Sequence, residues 1–131
     1  MNIRITLPIP HDYLSPNYHP ATRGGRIGQS VQAKKYHALA KLLATKEIRD
    51  RNISVPWPAA TLECTFYHKC VRTRDKDNAN ASMKHAFDGI AAAGIVTNDT
   101  HFTPLPPTLL ISKDNPRVEV IITRKEVGPK E

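Results

Sequence analysis

The run Ala59-Ala60-Thr61-Leu62-Glu63-Cys64-Thr65-Phe66-Tyr67-His68 alternates with a period of two. Leu62, Cys64 and Phe66 fall on one side, and Thr61, Glu63, Thr65 and Tyr67 on the other, the pattern of a half-buried strand. A polar loop follows, and then residues 78–93 change period. Met83, Ala86, Phe87 and Ile90 recur at helical spacing, and Gly94 stands where a helix ends in a left-handed residue. A strand that hands over to an amphipathic helix of this kind sets the class as α+β.

Outward from this pair, Ile3, Ile5 and Leu7 alternate with Asn2, Arg4 and Thr6, so residues 2–8 predict a first strand. Residues 8–28 hold four prolines, at 8, 10, 16 and 20, and three glycines, at 24, 25 and 28. That density of breakers predicts a long loop. Ser30 is the expected N-cap of a helix over about 31–51, with Ala38, Leu39, Leu42, Leu43 and Ile48 as its apolar stripe and Asn52 as its end. After a loop rich in proline (Pro104, Pro106, Pro107), strands are predicted at about 108–113 and 117–124, with Asp114-Asn115-Pro116 as the turn between them. The expected fold is a small mixed sheet of about four strands with two helices, in one domain over residues 1–131.

Lys and Arg number 19 against 12 Asp and Glu, for a net charge of +7. That excess suits a polyanion, nucleic acid first, although an ordinary soluble basic protein carries the same balance. No apolar run reaches the roughly 20 residues of a membrane span. The opening Met1–Leu7 segment reads as a strand and not as a signal peptide. Two cysteines, Cys64 and Cys70, are too few for a disulfide framework, and Cys64 is expected as a buried thiol. A cytoplasmic location fits. The six histidines match no zinc template.

Against this basic background, the segment Arg72–Asp99 concentrates acids. Asp75 and Asp77, two apart, can face one ion from an extended segment. Asp77 can equally cap the helix that follows, the commoner role of an Asp before an alanine-rich run. Ala81, Lys84 and Asp88 share one helical stripe, where Lys84 and Asp88 form either an i,i+4 ion pair on a solvated face or part of a site. Asn98-Asp99 arrives on a loop and can complete the group. Three aspartates suit a hard ion, Mg²⁺ or Mn²⁺. Lys69, Arg72 and Arg74 surround them in sequence. Arg23, Arg26, Lys34 and Lys35 make a second basic group, read either as a phosphate-tracking patch or as a solvated face. Tyr13 and Tyr18 offer stacking surfaces in the long loop, and Trp57 reads as a packing anchor.

The order Asp75-Lys76-Asp77-Asn78, then Lys84 and Asp88, then Ala93-Gly94-Ile95-Val96, then Asn98-Asp99 resembles the RusA family of Holliday-junction resolvases. Leu14-Ser15-Pro16-Asn17 is similar to the opening of its phage members. Two departures stand out. Lys84 follows Asp77 by seven positions where the best-known members have four, which reads as an insertion of nearly one helical turn. The final pair is Asn98-Asp99 in place of two aspartates. The resemblance implies a Mg²⁺-dependent endodeoxyribonuclease (Mn²⁺ as a substitute) that resolves four-way DNA junctions in recombination and repair and works as a homodimer. It implies Asp75, Asp77 and Asp99 as metal ligands and Lys84 as a catalytic, phosphate-contacting cation, with Asp88 a structural partner of Lys84. The alternatives are a DNA-binding accessory protein without turnover, or a metal nuclease for other branched nucleic acids.

Overall fold

The structure, a computed structural model, describes residues 1–16, 18–69 and 76–126; for residues 76–78 and 99 it describes the backbone alone. Its elements are β1 (Asn2–Leu7), a 3-10 turn (Asp12–Leu14), α1 (Arg23–Asp50), β2 (Ala59–His68), α2 (Lys76–Ala81), α3 (Lys84–Ala92), a second 3-10 turn (Asp99–His101), β3 (Phe102–Pro104), β4 (Thr108–Ile111) and β5 (Arg117–Lys125). The α+β class is as expected, but the described residues form five strands and three α-helices where about four and two were predicted.

β2 is the organising strand. β5 runs antiparallel to it on one side, and β1 runs antiparallel to β5 beyond that. On the other side, β3 pairs in parallel with residues 60–62 of β2, and β4 pairs in parallel with residues 65–68. These two short segments act as one edge strand interrupted at Leu105–Pro107, where the Leu105 amide still donates to the Leu62 carbonyl at 2.8 Å. Proline lacks the amide a ladder needs, and an edge is where a sheet tolerates it. The proline-rich stretch therefore breaks a strand whose first half, β3, the sequence reading assigned to loop. β4 and β5 lie on opposite sides of β2, so Asp114-Asn115-Pro116 lies in a link between the two sides of β2 and not in a hairpin turn.

Ile3, Ile5, Leu7, Leu62, Cys64, Phe66, Val118, Val120 and Ile122 form the inner face of the sheet, all nearly solvent-free. α1 and α3 cover that face and pack on each other. Burial, reinforced by the charge of Glu63, pushes the Cys64 thiol up to about 12. Trp57 is an anchor, as expected, at 1% exposure.

α1 begins eight residues before the predicted start. Its N-cap is Thr22, whose Oγ1 accepts from the Gly25 amide at 3.0 Å, and not Ser30. The glycines at 24, 25 and 28 are helical. At Gly25 and Gly28 the reason is close approach: a β-carbon on Gly28 would lie 2.7 Å from Tyr13 Cε2, and one on Gly25 would lie 2.9 Å from the Tyr18 hydroxyl. Tyr13 and Tyr18 stack on each other with ring centroids 4.6 Å apart. The bare glycine surface seats this aromatic pair. The apolar stripe also differs from expectation. Tyr36, Ala40 and Ala44 are buried, Leu39, Leu43 and Ile48 flank them, and Leu42 is 65% exposed. Small residues take the centre because α3 presses closely there.

Candidate functional site

The predicted helix over 78–93 is two helices. α2 ends at Ala81, the Ser82 hydroxyl donates to the Ala79 carbonyl at 2.6 Å, and α3 restarts at Lys84. Ser at this position competes for backbone carbonyls and favours a break. Met83, fully buried, pins the junction; the Tyr36 hydroxyl donates to the Pro8 carbonyl at 2.8 Å and lies 3.3 Å from Met83 Sδ. Lys84 is therefore positioned as the first residue of a new helix and not by an added turn of one continuous helix. α2 begins at Lys76, so Asp77 lies in its first turn and not at an N-cap position.

Ala81, Lys84 and Asp88 do share one surface, as their spacing predicts. They line a cleft of about 370 Å³ with Asn80 and Phe87 from the helical side and Leu62, Phe102 and Pro104 from the sheet. The walls are mostly apolar. Phe102 is 8% exposed and Leu62 1%. Lys84 and Asp88 make no ion pair with each other or with any other residue among those described, so of the two readings offered for them the i,i+4 pair is not formed. Asn80 donates from Nδ2 to the Leu105 carbonyl at 2.9 Å, which ties the end of α2 to the interrupted edge strand, while its Oδ1 is buried without a partner among the described residues.

Asp99 opens the second 3-10 turn, which contacts α3 and leads directly into Phe102. Asn98 holds that turn: its Oδ1 accepts from the Thr100 amide at 3.0 Å, and its carbonyl accepts from the His101 amide at 3.0 Å. The asparagine in the departure from the paired aspartates thus has a structural task. Beside it, His101 Nδ1 lies 3.3 Å from Thr97 Oγ1.

The backbone positions of Asp77 and Asp99 each stand three residues before a wall of the cleft, Asn80 and Phe102 respectively. Asp75, with Arg72, Arg74, Cys70 and Asn17, lies outside the described residues, and the carboxylates of Asp77 and Asp99 are not described. Among the described residues no three His, Cys, Asp or Glu side chains gather as a metal site; the three aspartates of the motif are not in that set. Of the basic residues, Arg23, Arg26, Lys34 and Lys35 are all exposed on α1, the first two in its opening turns and not in a loop, and Lys69 is exposed just past β2.

Sequence reasoning missed the cleft walls. Leu62 was legible as an inward strand residue, and Phe102 with Pro104 carries the i, i+2 spacing of a strand, but the neighbouring prolines hid it. The chain matches no protein-family model and no curated protein. Among the described residues, no helix is long and apolar enough to cross a membrane.

Proposed function

We propose that this protein is a Mg²⁺-dependent, structure-specific endodeoxyribonuclease that cuts four-way DNA junctions in recombination and repair, acting as a homodimer in a bacterial or phage-infected cytoplasm. The observation that carries the reading is one cleft lined by the Lys84 side chain, by the end of the helix that bears Asp77, and by Phe102, which follows directly on the turn begun by Asp99. The net charge of +7 and the exposed Arg23, Arg26, Lys34 and Lys35 on α1 support a polyanionic substrate. A two-fold dimer suits a junction that needs two nicks.

Asp75, Asp77 and Asp99 would hold the ion, an all-oxygen donor set that fits Mg²⁺ or Mn²⁺. When bound, such an ion lowers the pKa of a water and offsets charge on the phosphodiester oxygens. Lys84, exposed and without an ion-pair partner among the described residues, lines the cleft, binds a phosphate oxygen and stabilises charge as it develops there. The basic residues of α1, with Lys69, Arg72 and Arg74, hold the flanking backbone without reading sequence.

The test is cleavage of a synthetic four-way junction, a flap, linear duplex and RNA with Mg²⁺, by wild type and Asp77→Asn. Nicks in the junction by wild type alone support the reading. Binding without nicks by wild type points to an accessory protein, and equal cutting of linear duplex removes the junction claim.

A further inference from the structure

We propose that the cleft between α2, α3 and the β2–β3 edge receives an unstacked nucleobase that carries an exocyclic amine. The inference rests on the nucleic-acid reading above and names what that site holds beside the phosphate.

At about 370 Å³ the cleft is near the small end of the roughly 300–1,000 Å³ range of small-ligand sites. Phe87, Phe102, Leu62 and Pro104 line it, an apolar space with two aromatic side chains in its wall. Any base has a π face to place there, and stacking on aromatic side chains is the usual way a protein holds one outside the duplex. The polar groups then decide orientation. Lys84 and Asp88 stand one helical turn apart on α3, and neither has a partner among the described residues. A phosphate is drawn to Lys84 and repelled by Asp88. The Asp88 carboxylate accepts hydrogen bonds only, so it needs a donor, which a phosphate does not bring and a base amine does. Asn80 fixes the wall and does not read the base: its amide nitrogen is spent on the Leu105 carbonyl, and its Oδ1 is buried away from the open cleft. The lining therefore offers one accessible acceptor, the Asp88 carboxylate, with the Lys84 cation one helical turn away. A nucleotide whose base bears an amine meets both. Adenine, cytosine and guanine carry that amine and thymine does not.

The experiment measures binding in EDTA, where cleavage plays no part. Fluorescein-labelled dA₁₀, dC₁₀ and dT₁₀ are titrated with the full chain by anisotropy, with Asp88→Asn and Phe87→Ala alongside and circular dichroism as the check on folding. We expect wild type to bind dA₁₀ and dC₁₀ about tenfold more tightly than dT₁₀. Asp88→Asn, a change of one atom type on a half-buried residue, should bring the three to within about twofold by tightening dT₁₀, because the amide donates to thymine O4 and no longer repels phosphate. Phe87→Ala should weaken all three by about tenfold. Equal wild-type binding of the three oligomers, or a preference that survives Asp88→Asn, overturns the inference and leaves the nuclease reading standing. Failure to bind any of the three overturns the inference, while the nuclease reading stands or falls on the four-way junction assay. Displacement of dA₁₀ by N-acetyl-tyrosinamide at the same concentration as by deoxyadenosine assigns the cleft to an aromatic side chain of a protein partner and also overturns it.

Discussion

Gly89 of α3 sits directly against the main chain of His37 in α1: a β-carbon on Gly89 would overlap the His37 carbonyl oxygen, with the Lys41 amide nitrogen 3.2 Å away. The two helices meet through small residues, Ala40 and Ala44 on one and Ala86 and Gly89 on the other, all buried. This contact sets the depth of α3 on the sheet, and with it the place of Lys84 and Asp88. Gly89→Ala should destabilise the protein by about 1–3 kcal/mol, because neither backbone can yield without moving a helix. A lower urea midpoint with an unchanged m-value is the expected result.

The glycines at the start of α1 should respond unequally. At Gly24 the nearest atom to an added β-carbon is Thr22 Oγ1 at 4.0 Å, so Gly24→Ala should gain up to about 1 kcal/mol from helix propensity. Gly25→Ala must displace the Tyr18 hydroxyl and press on Pro20 and Thr22, both at 3.3 Å, and should lower the melting temperature. Thermal unfolding of the two variants beside wild type checks the order.

Cys64 makes stability pH-dependent on the alkaline side. Its folded pKa is raised to about 12 by burial and then by Glu63, from an ordinary value near 9. The folded state thus holds the thiol proton more tightly than the unfolded state does. The contribution is complete below the unfolded pKa and falls as pH rises from about 9 towards 12, at up to roughly 1.4 kcal/mol per pH unit. Cys64→Ala should flatten the loss of stability between about pH 9 and 10, measured by urea unfolding. Parallel pH profiles for the two proteins would contradict the assignment. Above pH 10 the buried Tyr36 hydroxyl, likewise raised by burial, adds a similar slope to both.

Lys84→Ala should separate folding from chemistry. The side chain is exposed and unpaired among the described residues, so stability should change by no more than about 0.5 kcal/mol. Junction cleavage should fall by about 10²–10³-fold, the usual cost of removing a donor that meets charge as it develops. Unfolding curves and single-turnover cleavage on one preparation give both quantities.

The strands were legible where one face is buried and the other wet: β2 runs over the ten residues read for it, and β1 ends one residue short of its predicted range. Period two survives in sequence because each residue meets one environment. α1 was misread at its start because glycines that admit Tyr13 and Tyr18 look like breakers when the aromatic partners are unknown. Leucines at 39, 42 and 43 drew the helix face to the wrong side, since hydrophobicity alone does not reveal that Gly89 and Ala86 would demand alanines opposite them. β3 was hidden by prolines that an edge tolerates. In the site, the shared surface of Ala81, Lys84 and Asp88 followed from helical spacing, whereas the break at Ser82 and the walls from β2 and β3 depend on contacts between distant segments.

The most direct test of the central claim is a crystal of the protein soaked in Mn²⁺ and read by anomalous scattering at the manganese edge. The account predicts a peak within coordination distance, about 2.0–2.2 Å, of carboxylate oxygens from Asp75, Asp77 and Asp99, lost in Asp77→Asn. A fully occupied ion bound elsewhere, or carboxylates of these three residues too far apart to share ions while the soak labels other sites, would contradict it.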